Sequence, residues 1–226
     1  MADPARIAVL LSGTGSNLDA IVEHQKHTDA YRVTQVISDN PAAGGLMRAA
    51  ARGIATTALP SLADMPRAAH DQAVQAVLLE LDVDLVVLAG YMRILSAEFV
   101  RTFHGRMLNV HPSLLPRYRG LHTYRRALEN GDLWHGTSVH FVTEELDGGP
   151  VIGQSRIPIH ADDTETTLRA RTQREEHRLY PLCVAAVSRG RIGVAGDARA
   201  TLDGAPLDLP LDPAALANLE APICPV

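Results

Sequence analysis

Short apolar runs alternate with amphipathic stretches along the first half of the chain. Arg6 to Leu11 carries Ile7, Val9, Leu10 and Leu11 almost without interruption, the pattern of a strand buried on both faces. Leu18 to His27 then places Leu18, Ile21 and Val22 at helical spacing. The same alternation predicts strands over Arg32 to Ser38, Ile54 to Leu59, Asp84 to Ala89 and Met107 to His111. Between them it predicts helices over Leu46 to Arg52 and Asp64 to Leu81. Strands separated by helices imply an α/β fold with a mostly parallel, Rossmann-like open sheet covered on both faces.

After residue 120 the pattern changes. Tyr124 to Glu129 reads as a short helix closed by Asn130-Gly131. Thr137 to Val142 and Pro150 to Ile159 read as strands, and two neighbouring β-runs predict an antiparallel extension of the sheet. Thr164 to about Arg189 is the longest helical pattern. Residues 193–226, rich in Ala, Pro, Asp and Leu, read as a peripheral tail. The expected organisation is one domain over 1–226, with halves near 6–120 and 121–192.

Composition narrows the function. Of 226 residues 46% are apolar, enough for a sizeable core, and the net charge of −5 argues against a nucleic-acid partner. Lys26 is the only lysine, so the basic residues are almost all Arg; this fits anion recognition or simple compositional bias. Cys183 and Cys224 lack the spacing of a metal knuckle or redox pair. The Met-Ala-Asp-Pro-Ala-Arg start does not resemble a signal peptide, and no run of about 18 apolar residues spans a bilayer. A cytoplasmic protein without membrane attachment is expected.

Two segments carry candidate chemistry. Ser12-Gly13-Thr14-Gly15-Ser16-Asn17 follows a strand and opens a helix, where free N–H groups and the helix dipole favour an anion such as phosphate. Leu18 stands where a dinucleotide fingerprint needs its third glycine, so a simple phosphate ester fits better than NAD or ATP. An ordinary glycine-rich turn fits as well. The second segment is Asn109-Val110-His111-Pro112. Residues i and i+2 of a strand share a face, and Pro112 ends the strand, so Asn109 and His111 stand together where α/β sheets bind ligands. A carboxylate beside His111 would orient the ring, and Asp147 in Leu146-Asp147-Gly148-Gly149-Pro150 is the best candidate. Each of the three also has a structural reading: a turn Asp, a strand-end His and a capping Asn. His140 either lines the same cleft or is a structural histidine. Arg93, in the exit loop of the fourth strand, either reaches an anion or is solvated. No metal site is expected, and no Gly-x-Ser-x-Gly elbow is present.

Taken together, five segments in order carry more than any one. They are Leu11-Ser12-Gly13-x-Gly15-Ser16-Asn17-Leu18, Ala89 to Leu95, Asn109 to Pro116, His135 to His140, and Leu146 to Ile152. Over about residues 6–192 the chain resembles the folate-dependent phosphoribosylglycinamide formyltransferases, the glycinamide ribonucleotide transformylase family of purine synthesis. The resemblance implies the formyltransferase fold and direct transfer of a formyl group from 10-formyltetrahydrofolate, a co-substrate, to the amine of glycinamide ribonucleotide. No metal is required. It implies catalytic Asn109, His111 and Asp147, and a phosphate segment Gly15, Ser16, Asn17, Leu18 and Asp19. A further acceptor segment falls on Gln173, Arg174, Glu175 and Glu176. Folate positions fall on Arg67, Met92, Arg93, Ile94, Leu95, Asn109, Thr143, Glu144, Glu145, Leu146 and Asp147. The family often shows Gln-x-Gln-Glu-His where this chain has Gln173-Arg174-Glu175-Glu176-His177, so Glu175 departs from the pattern. The resemblance assigns the first half to the acceptor phosphate and the second to folate and the catalytic loop. Partners are small molecules, and the expected state is a monomer or homodimer. Related tRNA-directed, hydrolytic and sugar-nucleotide enzymes, and a silent binding module, are the competing readings.

Overall fold

The computed structural model of the protein describes residues 3–60, 66–196 and 199–220. The helix start expected at Asp64 and the tail cysteine Cys224 lie outside those residues. Strands β1 (Ala5–Leu11), β2 (Tyr31–Ser38), β3 (Ala55–Ala58), β4 (Leu85–Leu88), β5 (Met107–His111), β6 (Trp134–Phe141) and β7 (Val151–Pro158) form one sheet in the order β3-β2-β1-β4-β5-β6-β7. β1 to β5 pair in parallel, whereas β5–β6 and β6–β7 are antiparallel. This is the mostly parallel sheet with an antiparallel extension that the patterning predicts.

Helices α1 (Ser16–His24), α2 (Gly44–Ala50), α3 (Arg67–Glu80) and α4 (Ala97–Thr102) connect the parallel strands. The period of two along β1 separates two cores. Ile7, Val9 and Leu11 pack in the cluster that also holds Leu18, Ile21, Leu179 and Val184. Ala8 and Leu10 pack in the cluster holding Val74, Leu78, Phe99 and Phe103. A strand buried on both sides needs an unbroken apolar run, and β1 supplies one.

The second half adds α5 (Thr123–Glu129) and α6 (Glu165–Ser188). Thr164 caps α6 by accepting from the Thr167 N–H, so the helix begins one residue after the expected start. Fully buried Tyr180 on α6 places its hydroxyl 3.0 Å from the carbonyls of both Leu88 and Leu108, tying α6 to β4 and β5. The segment read as peripheral forms a small sheet, β8 (Ile192–Val194), β9 (Ala200–Leu202) and β10 (Ala205–Pro206), and helix α7 (Pro213–Asn218). Leu216 of α7 is fully buried in the larger core, and Leu211 exchanges backbone hydrogen bonds with Ile152 and Gln154 of β7. The tail thus covers one end of the sheet.

Strand order reverses between β1 and β4, because β1 is followed by β2 on one side while β4 lies on the other. The loops leaving these two strands diverge there and open a crevice, the usual ligand position in such sheets. Ser12 joins them: its N–H donates to the Gly90 carbonyl (3.1 Å), and its hydroxyl accepts from the Met92 N–H (2.9 Å).

Candidate active site

The glycine turn sits at that crevice. Gly15 is the N-cap of α1 at φ +84°, and no side chain caps the helix, so the N–H groups of its first turn point outward unsatisfied. Gly15 is a glycine for a second reason. A Cβ there would lie 2.6 Å from the Gly45 Cα, so α2 and the turn meet backbone to backbone. Asn17 reaches from the same turn to α6, where its amide donates to Glu176 Oε2 at 3.0 Å. Glu176 is 6% exposed; burial pushes its pKa above the ordinary carboxylate value, and the Asn17 hydrogen bond opposes that shift. Asp19 pairs with Arg48 and Arg52 at the flank of the turn.

One part of the expected acceptor segment faces elsewhere. Glu175 accepts from the Ser155 hydroxyl of β7 at 2.6 Å and pairs with Arg178 at 3.1 Å. Gln173 and Arg174 are exposed on α6. Helical spacing explains the split: consecutive residues lie about 100° apart, so Glu175 and Glu176 serve different neighbours.

At the end of β5 four polar side chains converge. Asn109 and His140 are directly opposed in the β5–β6 ladder, so they share a face. The buried His140 donates from Nδ1 to the Phe141 carbonyl (2.9 Å), which leaves Nε2 to accept from the Asn109 amide (3.3 Å). Burial pushes the His140 pKa below the ordinary histidine value, more than its carbonyl and Asp147 contacts raise it, so the ring is a neutral acceptor. His140, with a structural reading open on sequence grounds, thereby fixes the orientation of the Asn109 amide.

Asp147 reaches this cluster from the β6–β7 connection. Its Oδ2 lies 3.4 Å from His111 Nδ1 and accepts the Gly120 N–H at 2.9 Å; its Oδ1 lies 3.7 Å from His140 Nε2. The turn that delivers it is tightly specified. Asp147 adopts φ +48°, a conformation Asp tolerates better than most residues. A Cβ at Gly149 would stand 1.8 Å from the Phe141 carbonyl oxygen, so only glycine lets the loop fold back here. His111 is 6% exposed, and its Nε2 lies 2.9 Å from the Tyr118 carbonyl. Both ring nitrogens therefore face acceptors. In this conformation the His111 Nε2 hydrogen is held by the protein itself.

Exposed apolar side chains lie on the loops at this edge of the sheet. Met92 is 72%, Ile94 53%, Leu121 74% and Leu146 52% exposed, while Leu95 is half-buried. Arg93 buries its Nε without a partner among the described residues. Arg67 is exposed at the first position of α3. Thr143 bonds the Glu145 carbonyl, Glu144 pairs with Arg101, and Glu145 with Arg119. Asp39 accepts from the Ser12 hydroxyl at 2.6 Å and so shapes the turn from β2. Tyr118, Gly120 and Asp39 are contributors whose contacts the sequence does not reveal, although Gly120 to Thr123 reads there as a turn-rich loop able to close over ligands. Two act through backbone atoms, which leave no side-chain signature. Among the described residues no group of three His, Cys, Asp or Glu is arranged to hold a metal ion, and no helix is long and apolar enough to cross a membrane.

An open α/β sheet with an uncapped glycine turn and an Asn-His-Asp cluster at its carboxyl edge defines a class, and sequence comparison gives it a name. The profile of the formyl transferase family matches residues 5–184, so the chain belongs to the formyl transferase family. Within that family it is 50% identical over 202 residues to the phosphoribosylglycinamide formyltransferase of Escherichia coli, covering 88% of this chain and 93% of that one. The Haemophilus influenzae phosphoribosylglycinamide formyltransferase is 43% identical over 200 residues, 88% of this chain and 94% of that one. A solved phosphoribosylglycinamide formyltransferase from Coxiella burnetii superposes with a TM-score of 0.88 at 40% identity, covering 92% of this chain and 99% of that one.

Proposed function

We propose that the protein transfers the formyl group of 10-formyltetrahydrofolate directly to the amine of glycinamide ribonucleotide, giving N-formylglycinamide ribonucleotide and tetrahydrofolate. The single observation that carries this reading is the convergence of Asn109, His111 and Asp147 at the sheet edge that also carries an uncapped helix start. The acceptor phosphate binds the N–H groups of Gly15 to Asp19, and Glu176 with Gln173 and Arg174 receives the rest of the nucleotide. The folate lies against Met92, Arg93, Ile94 and Leu95 and under the Thr143 to Asp147 loop, with Arg67 at its outer end. Glu175, committed to Ser155 and Arg178, contributes by bracing α6.

The acceptor nitrogen attacks the formyl carbon and forms a tetrahedral centre whose oxygen carries negative charge. The Asn109 amide, held by neutral His140, donates to that oxygen; such a donor contributes roughly 3–4 kcal/mol. His111 supplies a second N–H once the ring turns from its resting partner. The proton lost by the amine passes by way of Asp147 and water to the folate nitrogen, and the bond from that nitrogen to the formyl carbon breaks. No covalent enzyme intermediate forms, because holding two substrates in line supplies much of the acceleration. The protein acts in the cytoplasm on small molecules, as a monomer or homodimer, without a metal or nucleic acid.

Incubating the protein with 10-formyl folate, with and without glycinamide ribonucleotide, tests the reading. Release of the folate product that depends on the ribonucleotide is expected. Release without it indicates hydrolysis, and either that or no release rejects the proposal.

A further inference from the structure

Tyr118 sits at an unusual place for a tyrosine. It adopts φ +56° in a loop where Gly120 (φ +76°) and His122 (φ +60°) also take left-handed conformations. A β-carbon disfavours that region, so a non-glycine residue persists there only where its surroundings hold it. The surroundings are all side-chain anchors. The Tyr118 hydroxyl donates to Asp132 Oδ2 at 2.6 Å and accepts from the Asn130 amide at 2.9 Å. Two guanidiniums lie over its ring, Arg117 at 5.2 Å and Arg126 at 5.0 Å from the centroid. Arg117 also pairs with Asp132 at 2.8 Å, and Arg126 donates to the Arg119 carbonyl at 2.8 Å.

The anchored residue ends at the candidate catalytic pair. Its carbonyl oxygen is the atom 2.9 Å from His111 Nε2, and two residues on the Gly120 N–H binds Asp147 Oδ2. One short loop thus touches both members of the His–Asp pair through backbone atoms. A carbonyl only accepts, so Nε2 must carry a hydrogen, and Nδ1 is turned to the carboxylate.

We propose that Tyr118 is a positioning residue: its anchored ring fixes the backbone carbonyl that sets the orientation of the His111 imidazole, and its loop sets Asp147 in the same step. The proposal rests on reading His111 and Asp147 as the catalytic pair. Asp132, Asn130 and Arg126, all on or next to α5, are then outer supports that hold the loop. The carbonyl limits where the ring can point, so His111 works from one defined position rather than many.

Two variants test this, each assayed for steady-state transfer, melting temperature and the ¹⁵N resonances of the His111 ring in the unliganded enzyme. Tyr118→Asn removes the anchors but keeps a residue tolerant of the left-handed conformation. It is expected to melt near the wild type and to lose about tenfold to a hundredfold in kcat. KM values for donor and acceptor should stay within about threefold, and the Nε2 resonance should shift. Tyr118→Phe keeps the ring under the two guanidiniums and loses only the hydroxyl anchors, so its kcat falls in between. Wild-type kcat in Tyr118→Asn, or an unchanged Nε2 resonance in both variants, overturns the proposal. If Tyr118→Asn fails to fold, an unchanged kcat and resonance in Tyr118→Phe overturns it instead. A wild-type enzyme that transfers no formyl group rejects the proposed function, whereas the ring resonance still decides whether Tyr118 positions His111.

Discussion

The glycine turn after β1 and the cluster at the end of β5 both lie at the carboxyl edge of the parallel strands, yet they are built in opposite ways. The turn is contiguous and made of backbone: the uncapped start of α1 presents N–H groups, and Gly15 meets Gly45 with no room for a Cβ. The cluster is assembled from side chains far apart in sequence, Asn109, His111, His140 and Asp147, and its geometry is held by two loops with left-handed residues. A backbone site depends on dimensions and is indifferent to protonation. A side-chain site depends on which atom carries a proton and on where a ring points. The difference suits binding on one side and bond-making on the other.

The comparison breaks most visibly at the cluster. His111→Ala and Asp147→Asn are expected to lower kcat by about a hundredfold to a thousandfold, the scale of removing one donor or proton carrier from the transition state. Acceptor KM should change little, because neither residue belongs to the glycine turn. Steady-state kinetics with both substrates varied checks this. Near-normal turnover in His111→Ala would remove the catalytic assignment.

The two regions also differed in how far they could be read in advance. β5 appears over Met107–His111 as the apolar pattern predicts, and α6 runs inside the expected span because 24 residues give periodicity many turns to show itself. α4, six residues over Ala97–Thr102, offers less than two turns and gave no helical signal, although Ser96 caps it. The small β8–β10 sheet and α7 were hidden for the same reason, their strands being two or three residues long. The glycine turn is legible because its residues are contiguous. Asn109 and His111 are legible as a pair because the period of a strand puts them on one face. Asp147 is not legible from spacing, since a loop can place it anywhere; it was singled out as a possible partner and by family resemblance. Tyr118 is silent because a carbonyl is common to every residue.

A smaller effect separates the regions from the other side. Gly15→Ala would place a methyl 2.6 Å from backbone and force alanine to φ +84°. The expected cost is about 1–3 kcal/mol of stability. Acceptor KM should rise about tenfold with kcat changed less than threefold, since the displaced N–H groups bind ground state and transition state alike. Chemical denaturation together with acceptor titrations checks both parts. A fall in kcat larger than the rise in KM would mean that the turn also positions the reacting amine, and the division between binding and chemistry would fail.

The mildest test uses acidity, to which the buried histidines of the cluster and the buried carboxyl that Asn17 touches respond with opposite sign. Beside the cluster, burial pushes His135 down to about 4 and His140 below its ordinary value. A histidine whose folded pKa is depressed supports the fold above its unfolded pKa of about 6.5. That support is lost as pH falls, because the unfolded chain takes up the proton first. Beside the turn, burial pushes Glu176 up. A carboxyl with a raised folded pKa favours the fold at low pH, and this contribution is lost as pH rises through the folded value. Between pH about 6.5 and about 4 the two therefore oppose each other. Urea unfolding across that window should show stability falling with acidity in the wild type, less steeply in His135→Gln, and more steeply in Glu176→Gln. Identical slopes in all three proteins would mean that neither group is held in the state its burial dictates. The contrast between a backbone turn and a side-chain cluster would then rest on kinetics alone.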